Sequence, residues 1–564
     1  MQIYYYSDEK SRKGCNEAGR DYTPAYLPLM LKTLGFTAHR FTPGDPDIPG
    51  AGDALLIGAE TPDAEGIDAL SSALGRGCTL IGFGTTAPGV FPATRPLSIS
   101  RGDYTVTGYF SLDKTTPLPV IGAVGAITDG DATVLGTFAD GEDNTGAAFA
   151  RTGERVYYFS FDLPGTLWHA ADGAPTYEPV QQLVPFGRVP DGYVIPPDYD
   201  CDIPYAEEYL SCLDGILSGL GFARVSELPV IDGALCDMAL YFAGDDDAGS
   251  AENDMEAARA MKSRGLPYHI NLMPADAEGR FVISKEQFDT LHEWGCETDL
   301  HFDFTRFEYS ERGSQLQRDM YVRAFCEEPF SPVNHCLIQV GSAADRYRMQ
   351  VKCGCKSDNN RFEAKPDPSD INAFNLSGFA CGTSYPRFVL DDAAHGNAQL
   401  PFCEIYNSYY EPRIYTGSRE EYEKIEKYID HGAERGSTLQ LFTHPHYISG
   451  KIGFDPAPAL RAIDHALSYI KERKYSVWFT APQKLTRWWF DRAECSVKDA
   501  GKEGFVFDNP TKRSVSVILP DGVGRATVNG EPVRIFVRIV KRRGEFFKRR
   551  SVILDPGVSD VRFE

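Results

Sequence analysis

An apolar run that leads directly into three aspartates restricts the fold of this chain more than any other feature. Residues 239–243 are continuously apolar, as in a strand buried on both faces of a parallel sheet. Gly244 follows, and then come Asp245, Asp246 and Asp247. Adjacent carboxylates repel one another, and this repulsion is usually offset by a bound divalent cation or by a proton that one carboxylate takes up. The run therefore predicts a polar site at a strand end.

Two later segments repeat this arrangement with histidine. His301 lies in the segment 297–303, and His444 follows the apolar run 439–442. Ligands of α/β sheets bind outside the carboxyl ends of the strands, where these side chains would meet. Taken singly, each segment also fits a solvated acidic turn or an isolated histidine. Together and in this order, they predict one site on an α/β fold.

The order of these motifs resembles that of the polysaccharide deacetylase (chitooligosaccharide deacetylase homology) family. The domain of that family is a distorted (β/α) barrel, and the resemblance covers residues 228–490. The matching motifs lie at 244–247, 295–301 and 441–445, with further matches to a divergent branch at 334–335, 356–359, 382–386 and 477–482.

The resemblance implies a role for each motif. Asp245 corresponds to the general base and His444 to the general acid of the family. Asp246 and His301 correspond to metal ligands, with the register of the aspartates ambiguous by one residue. The implied cofactor is a divalent metal, Zn²⁺ by preference.

The third metal ligand departs from the family pattern. The second histidine of the family's His-x-x-x-His motif would fall on Thr305, and a hydroxyl does not replace an imidazole. We assign His335 as the third ligand. Asp247, Asp303 and His446 are alternatives, either as ligands or as partners that orient the ligands.

The resemblance also implies the chemistry. Asp358, Tyr385 and Arg387 are expected to line the substrate pocket. The implied function is a metal-dependent hydrolase that removes an acyl group, such as acetyl, from a sugar or glycan-derived substrate. Two other functions stay open: a metal-independent hydrolase of cyclic amides or other C–N bonds on the same fold, and a non-catalytic carbohydrate-binding protein.

The 564 residues are enough for three or four domains. We expect an α/β domain over 1–172, a linker and connecting helix over 173–226, the catalytic barrel over 227–495 and a small β-sandwich over 496–564. The β-sandwich is predicted from short alternating strands and from the Asn529-Gly530 hairpin signal.

The N-terminal domain resembles class I glutamine-amidotransferase-like domains, which are flavodoxin-like. Active members carry a cysteine nucleophile after the fourth strand. The corresponding turn, 82–86, has no cysteine, and Cys78 lies inside the preceding strand, as a small core residue would. We therefore expect this domain to be non-catalytic.

The C-terminal domain carries two basic segments, 541–543 and 548–550. They have two interpretations. The segments could bind an anionic glycan, or their cations could pair with carboxylates of the neighbouring domains.

Composition limits the partners. A net charge of −23 argues against nucleic acid and anionic membranes, and leaves a small molecule or an oligosaccharide as the expected partner. Thirteen cysteines show no disulfide framework, and neither a signal peptide nor a stretch of transmembrane length is visible. These features predict a cytoplasmic protein with reduced thiols.

Overall fold

The computed structural model describes most of the chain. The described residues are 1–112, 116–141, 144–177, 186–194, 202–247, 249–362, 365–366, 374–375, 378–379, 381–407, 419–450 and 455–564. Parts of the predicted linker, 178–185 and 195–201, lie outside the described residues.

The N-terminal part is a sheet flanked by helices. Its strands are β1 Ile3–Tyr6, β2 Ala38–Phe41, β3 Ala54–Ile57, β4 Thr79–Phe83, β5 Thr94–Ser98, β6 Val106–Ser111, β7 Leu118–Ile121, β8 Val124–Ile127, β9 Ala132–Ala139, β10 Thr145–Thr152 and β11 Val156–Phe159. Its helices are α1 Glu9–Glu17, α2 Leu27–Leu34, α3 Ala64–Gly75 and α4 Leu163–Asp172.

The strand order places two apolar strands, β3 and β4, inside the sheet. The order is β2–β1–β3–β4–β11–β10–β9–β6–β7, with parallel pairing from β2 to β11 and antiparallel pairing beyond. The apolar runs of β3 and β4 are buried throughout, as parallel strands covered on both faces should be. Burial raises the pKa of Cys78 to about 12, which disfavours a thiolate nucleophile. The flavodoxin-like assignment stays a prediction.

The barrel region supplies most of the remaining elements. After α5 Tyr205–Gly219 and β12 Arg224–Val225, its strands are β13 Val230–Ile231, β14 Ala234–Leu235, β15 Met238–Asp245, β16 His269–Leu272, β17 Glu297–Phe302, β18 Val333–Asn334, β19 Ser357–Phe362, β20 Lys365–Pro366, β21 Phe374–Asn375, β22 Arg387–Leu390, β23 Gln399–Asn407, β24 Thr438–Phe442 and β25 Val477–Thr480. Its helices are α6 Ala251–Lys262, α7 Lys285–Glu293, α8 Glu311–Phe325, α9 Ala343–Lys352, α10 Arg419–Arg435, α11 Pro445–Ser449, α12 Ala457–Arg473 and α13 Pro482–Glu494.

Parallel pairing curls the central strands of this region into a half-barrel. The central sheet has the order β18–β17–β16–β15–β24, with β25 beside the start of β15. On the far side β19 pairs with β23, and these two strands contact β18 and β24 respectively. The result is a curled half-barrel of parallel strands, in which β15, β16 and β24 end at the same rim.

Local sequence signals account for several helix starts. Ser284 and Gln287 match the capping-box sequence pattern and form that box at the start of α7. Asn253 is a residue type that the sequence would favour as the N-cap of the preceding helix, but it does not cap α6. That helix begins at Ala251, so Asn253 lies inside its first turn, where it accepts a hydrogen bond from Ser449.

The C-terminal part consists of antiparallel strands: β26 Ser496–Gly501, β27 Gly504–Asn509, β28 Val515–Ile518, β29 Ala526–Val528, β30 Glu531–Pro532, β31 Phe536–Arg542, β32 Glu545–Leu554 and β33 Gly557–Phe563. They form two sheets, β12–β28–β32–β31 and β26–β27–β33–β29–β30. One apolar core joins these sheets to α5 and to the N-terminal sheet. A second apolar core lies between the parallel strands of the barrel region and the helices that cover them. No helix among the described residues is long and apolar enough to cross a membrane.

Candidate functional site

The three aspartates follow a strand that is buried along its whole length. β15 runs parallel to β24, and Ala243 is in register with Phe442. A Cβ at Gly244 would lie 2.0 Å from the carbonyl oxygen of Thr443, so only glycine allows the two strand ends to approach this closely. The approach brings the residues after β15 beside those after β24.

Asp247 is the aspartate that faces the histidines. Its Oδ1 lies 3.0 Å from Nε2 of His301, and its Oδ2 lies 3.1 Å from Nε2 of His444. A third of the Asp247 side chain is exposed, whereas both imidazoles are buried. Desolvation alone would raise the pKa of Asp247, but His444 and His301 outweigh it and hold that pKa well below its ordinary value. The carboxylate is therefore an anion between two imidazoles, at the mouth of the barrel.

The outer nitrogen of His301 fixes the tautomer of the ring. Nδ1 lies 3.1 Å from the carbonyl oxygen of Val333, an acceptor, so Nδ1 carries a proton and donates it. In the neutral ring, Nε2 is then an acceptor that faces the acceptor Oδ1 of Asp247. Such a contact is favourable only if a second proton or a cation lies between the two atoms.

His335 approaches the same carboxylate from the end of β18. Its Nε2 lies 3.9 Å from Oδ2 of Asp247, and its Nδ1 lies 3.4 Å from Oδ1 of Asp303. The ring centroids of His301 and His335 are 5.4 Å apart. Burial alone would lower the pKa of His335, but Asp303 and its other neighbours raise it to about 10. Thr305, at the position of the missing family histidine, donates its backbone N–H to Asp303.

Asp245 points into the barrel and is held by an amide. Asn271 donates from Nδ2 to Oδ1 of Asp245 at 2.8 Å, and its Oδ1 lies 3.0 Å from Nε2 of His269. His269 in turn lies 3.5 Å from Glu297, which accepts the backbone N–H groups at the start of α13. Oδ2 of Asp245 lies 3.7 Å from Nε2 of His301.

Asn271 and His269 were not predicted as site residues. They occupy alternate positions of β16 and therefore share one face of the strand. A polar pair at this spacing inside a buried strand is the only signal in the sequence that could have indicated them.

Asp246 lies apart from this cluster. Backbone N–H groups of Gly249 and Ser250 donate to its carboxylate, and burial raises its pKa to about 7. Its acidic neighbour is Asp254 on α6, a buried carboxyl group for which no hydrogen-bond partner is found among the described residues. The geometry thus gives Asp247 the position that the sequence assigned to Asp246.

His446 lies on α11 beside His444, with ring centroids 5.3 Å apart, and its ring packs on Tyr447 at 4.0 Å. It is buried, as His444 is.

The three predicted pocket residues lie in buried interactions. Asp358 is fully buried and binds Arg346 at 2.9 Å. Arg387 pairs with Glu404 at 2.9 Å, and Tyr385 donates to the carbonyl oxygen of Arg435. None of the three offers substrate an open face in this conformation, so their assignment to the pocket stays a prediction that the burial does not favour.

The donor set at the rim suits a divalent metal. Asp245, Asp247 and His444 each present a ligand atom within 4.8 Å of the others, and Nε2 of His301 lies within 3.7 Å of both carboxylates. Carboxylate and imidazole atoms that share one ion at about 2.1 Å are separated by about 3–4 Å. The outer hydrogen bonds of His301 and His335 also match the usual support of metal-ligating histidines.

The comparisons with known proteins give weak similarities only. No family model matches the chain, and no curated protein does. Among solved structures, a protein described as a polysaccharide deacetylase from Mycobacterium smegmatis has 12% identity and a TM-score of 0.30, over 47% of this chain and 94% of that one.

Two further structures show comparable scores. A protein described as a polysaccharide deacetylase involved in O-antigen biosynthesis, from Bordetella bronchiseptica, has 11% identity and a TM-score of 0.26, over 45% of this chain and 90% of that one. A pseudoenzyme of the CE4 family from Bacillus anthracis has 7% identity and a TM-score of 0.25, over 44% of this chain and 65% of that one.

Proposed function

We propose that the chain is a hydrolase that removes an acyl group from a sugar or glycan-derived substrate, with a divalent cation, Zn²⁺ by preference, as cofactor. The observation that carries the proposal is the placement of Asp247 between the Nε2 atoms of His301 and His444. A cation between the carboxylate oxygen and the nitrogen lone pair would offset the repulsion between these two acceptors. The resemblance of the three motifs to the polysaccharide deacetylase family supports the acyl-sugar substrate.

The residues that would hold the ion are Asp247, His301 and His335. Asp303 and the carbonyl group of Val333 orient the two imidazoles, since each accepts from an Nδ1–H. When bound, the ion would polarise an acyl carbonyl and lower the pKa of a bound water. This set takes Asp247 in place of Asp246 and keeps the other two predicted ligands.

The remaining two groups suit proton transfer. Asp245 accepts the proton of the attacking water as general base, with the Asn271 amide fixing one carboxylate oxygen and leaving the other free to accept. His444, on the opposite side of Asp247, protonates the leaving amine or alcohol as general acid. A base and an acid on two sides of a carbonyl are what hydrolysis of an amide or ester requires.

A metal-independent hydrolase is the second candidate. The pKa of His335 is raised to about 10, so this imidazole holds a proton at neutral pH when no ion is present. An imidazolium beside Asp247 supplies positive charge at the same place as a metal would. On this reading, the protonated His335 would stabilise a developing oxyanion instead.

Metal content and hydrolysis together test the proposal. We expect the purified protein to contain close to one equivalent of a divalent metal by elemental analysis. It should hydrolyse 4-nitrophenyl acetate and acetylated chitooligosaccharides, and a chelator should abolish both activities. Asp247→Asn should lose metal and activity together.

The matched control is His395→Ala, which removes a histidine from another acidic cluster, Asp391 and Asp392. Arg348 pairs with both aspartates there, so they keep a cationic partner when His395 is removed. The cluster shares no residue with the candidate site, so activity should not change. Full activity in metal-free protein would refute the metal-dependent function and favour the second candidate.

A further inference from the structure

A cleft of about 430 Å³ lies where the N-terminal sheet, α5 and the hairpin of β31 and β32 meet. It shares no residue with the candidate site. One wall is apolar and partly aromatic, and is formed by Leu112, Leu135, Phe149, Tyr157, Ile518 and Phe547. The cleft has room for one or two sugar rings.

The other wall is basic in a chain that is acidic as a whole. Five cationic residues line it, Arg542, Arg543, Lys548, Arg549 and Arg550, against two acidic residues, Asp214 and Asp521. The net charge of the whole chain is −23, so this concentration of positive charge is local.

Two of the cations are held by the protein itself. Arg549 pairs with Glu227 at 3.1 Å and with Asp214 at 3.5 Å. Arg542 donates to the carbonyl oxygen of Arg435 at 2.7 Å and to the Tyr385 hydroxyl at 3.1 Å. These two cations therefore pair with groups of the neighbouring domains, which is the second interpretation of the basic segments.

The other three cations have no carboxylate partner among the described residues. Lys548 and Arg550 lie opposite Ile539 and Val537 in the β31–β32 pair, so the cross-strand neighbours do not neutralise them. Arg543 lies over the ring of Phe547 at 5.4 Å, and its buried Nε has no acceptor in the described part of the chain.

The backbone holds Arg543 in place at some cost. Its φ is +52°, a conformation that disfavours side chains other than glycine and asparagine. Its backbone N–H donates to Glu208 on α5, which fixes the turn against that helix. The turn therefore keeps an unpaired guanidinium at the edge of the cleft.

We propose that this cleft binds an organic anion, a carboxylate or phosphate carried on a sugar ring. Arg543, Lys548 and Arg550 would hold the anionic group, since guanidinium and ammonium groups are the usual donors to carboxylates and phosphates. Phe547 and the apolar wall would cover one face of the ring. The inference is independent of the proposed hydrolysis, because it uses no residue of that site.

Calorimetric titration of the full chain tests the proposal. The probes are digalacturonate, glucose 6-phosphate and inorganic phosphate, with neutral cellobiose as the comparison. We expect at least one of the two anionic sugars to bind, cellobiose not to bind, and affinity to fall as salt rises from 50 to 300 mM. Comparing the two anionic sugars tells carboxylate from phosphate recognition.

The variant Lys548→Gln/Arg550→Gln should lower the affinity at least tenfold without changing the thermal midpoint or the hydrolysis of 4-nitrophenyl acetate. The control is Lys502→Gln/Lys512→Gln, which removes two exposed lysines of the same domain outside the cleft and should bind as the unmodified chain does.

Three outcomes would overturn the proposal: no binding of either anionic sugar, equal binding by both double variants, or inorganic phosphate binding as tightly as the tighter of the two anionic sugars. Asp247→Asn should keep the anion affinity, so failure here and failure of the proposed hydrolysis can be told apart.

Discussion

Oδ1 of Asp247 lies 3.0 Å from Nε2 of His301, while the opposite nitrogen of that ring donates to the carbonyl of Val333. The contact joins two acceptors unless positive charge lies between them. A second proton on His301 would make the contact an ion pair with Asp247, whereas a divalent cation would bind both atoms at once. This contact is the reason for expecting a cation.

His301→Ala and His335→Ala should each lower the metal content strongly, because neutral imidazole is a strong ligand for borderline cations. Elemental analysis after dialysis against metal-free buffer measures this. His395→Ala is again the control and should retain the metal. If both variants kept a full equivalent of metal, neither histidine would be a ligand.

His444→Ala should cut turnover by about 10²- to 10⁴-fold on a substrate with a poor leaving group, the usual contribution of positioned acid–base catalysis. An aryl acetate should react almost normally, because its leaving group needs no proton. Metal content should persist. Loss of the metal in this variant would identify His444 as a ligand instead, consistent with its place beside Asp245 and Asp247.

Asn271→Ala should lower turnover by about tenfold or more, because the lost hydrogen bond holds a charged group and is worth about 1.5–3 kcal/mol. The metal content and the KM should change little. Asn509→Ala is the control, since it removes a buried, hydrogen-bonded asparagine of the C-terminal part and should cost stability alone. Equal turnover in the two variants would contradict a positioning role for Asn271.

Glu60→Gln should make the protein more stable at pH 8 than the unmodified chain. Burial raises the pKa of Glu60 from 4.5 to about 8, while the Tyr22 hydroxyl partly opposes the rise. The folded state then holds a proton that the unfolded state gives up, so stability falls as pH rises from about 4.5 to about 8.

The glutamine variant cannot ionise and should lose that part of the pH dependence, on the order of a few kcal/mol. Thermal midpoints measured from pH 5 to pH 9 would show it. Parallel curves for the two proteins would mean that Glu60 ionises normally.

Glu404→Gln should destabilise the fold by about 3–5 kcal/mol, because the carboxylate is fully buried among the guanidinium groups of Arg346, Arg361 and Arg387. Urea unfolding measures the change. Glu423→Gln, which breaks an exposed pair with Arg419, should have no measurable effect. Equal midpoints for the two variants would show that the buried cluster carries no special weight.

The positions of the strand ends can be predicted from the amino-acid sequence. The apolar runs that become β15 and β24 are local signals, because a strand buried on both faces needs an unbroken apolar run. The polar residues at the ends of these runs, Asp245 and His444, could therefore be predicted to lie at the rim. The α/β class follows from the same runs, whereas the distorted (β/α) barrel is what the resemblance of the motifs implied.

Which groups meet beyond the strand ends depends on the three-dimensional packing of the chain. Past Asp245 the chain leaves the strand, so the alternation of the pleat no longer sets side-chain direction, and the turn into α6 sends Asp247 rather than Asp246 toward the histidines. Asn271 lies on β16 and His335 follows β18, so only the packing of these strands in the curled sheet brings the two residues to this rim. Periodicity is a property of neighbours along the chain, whereas these contacts depend on packing between distant segments.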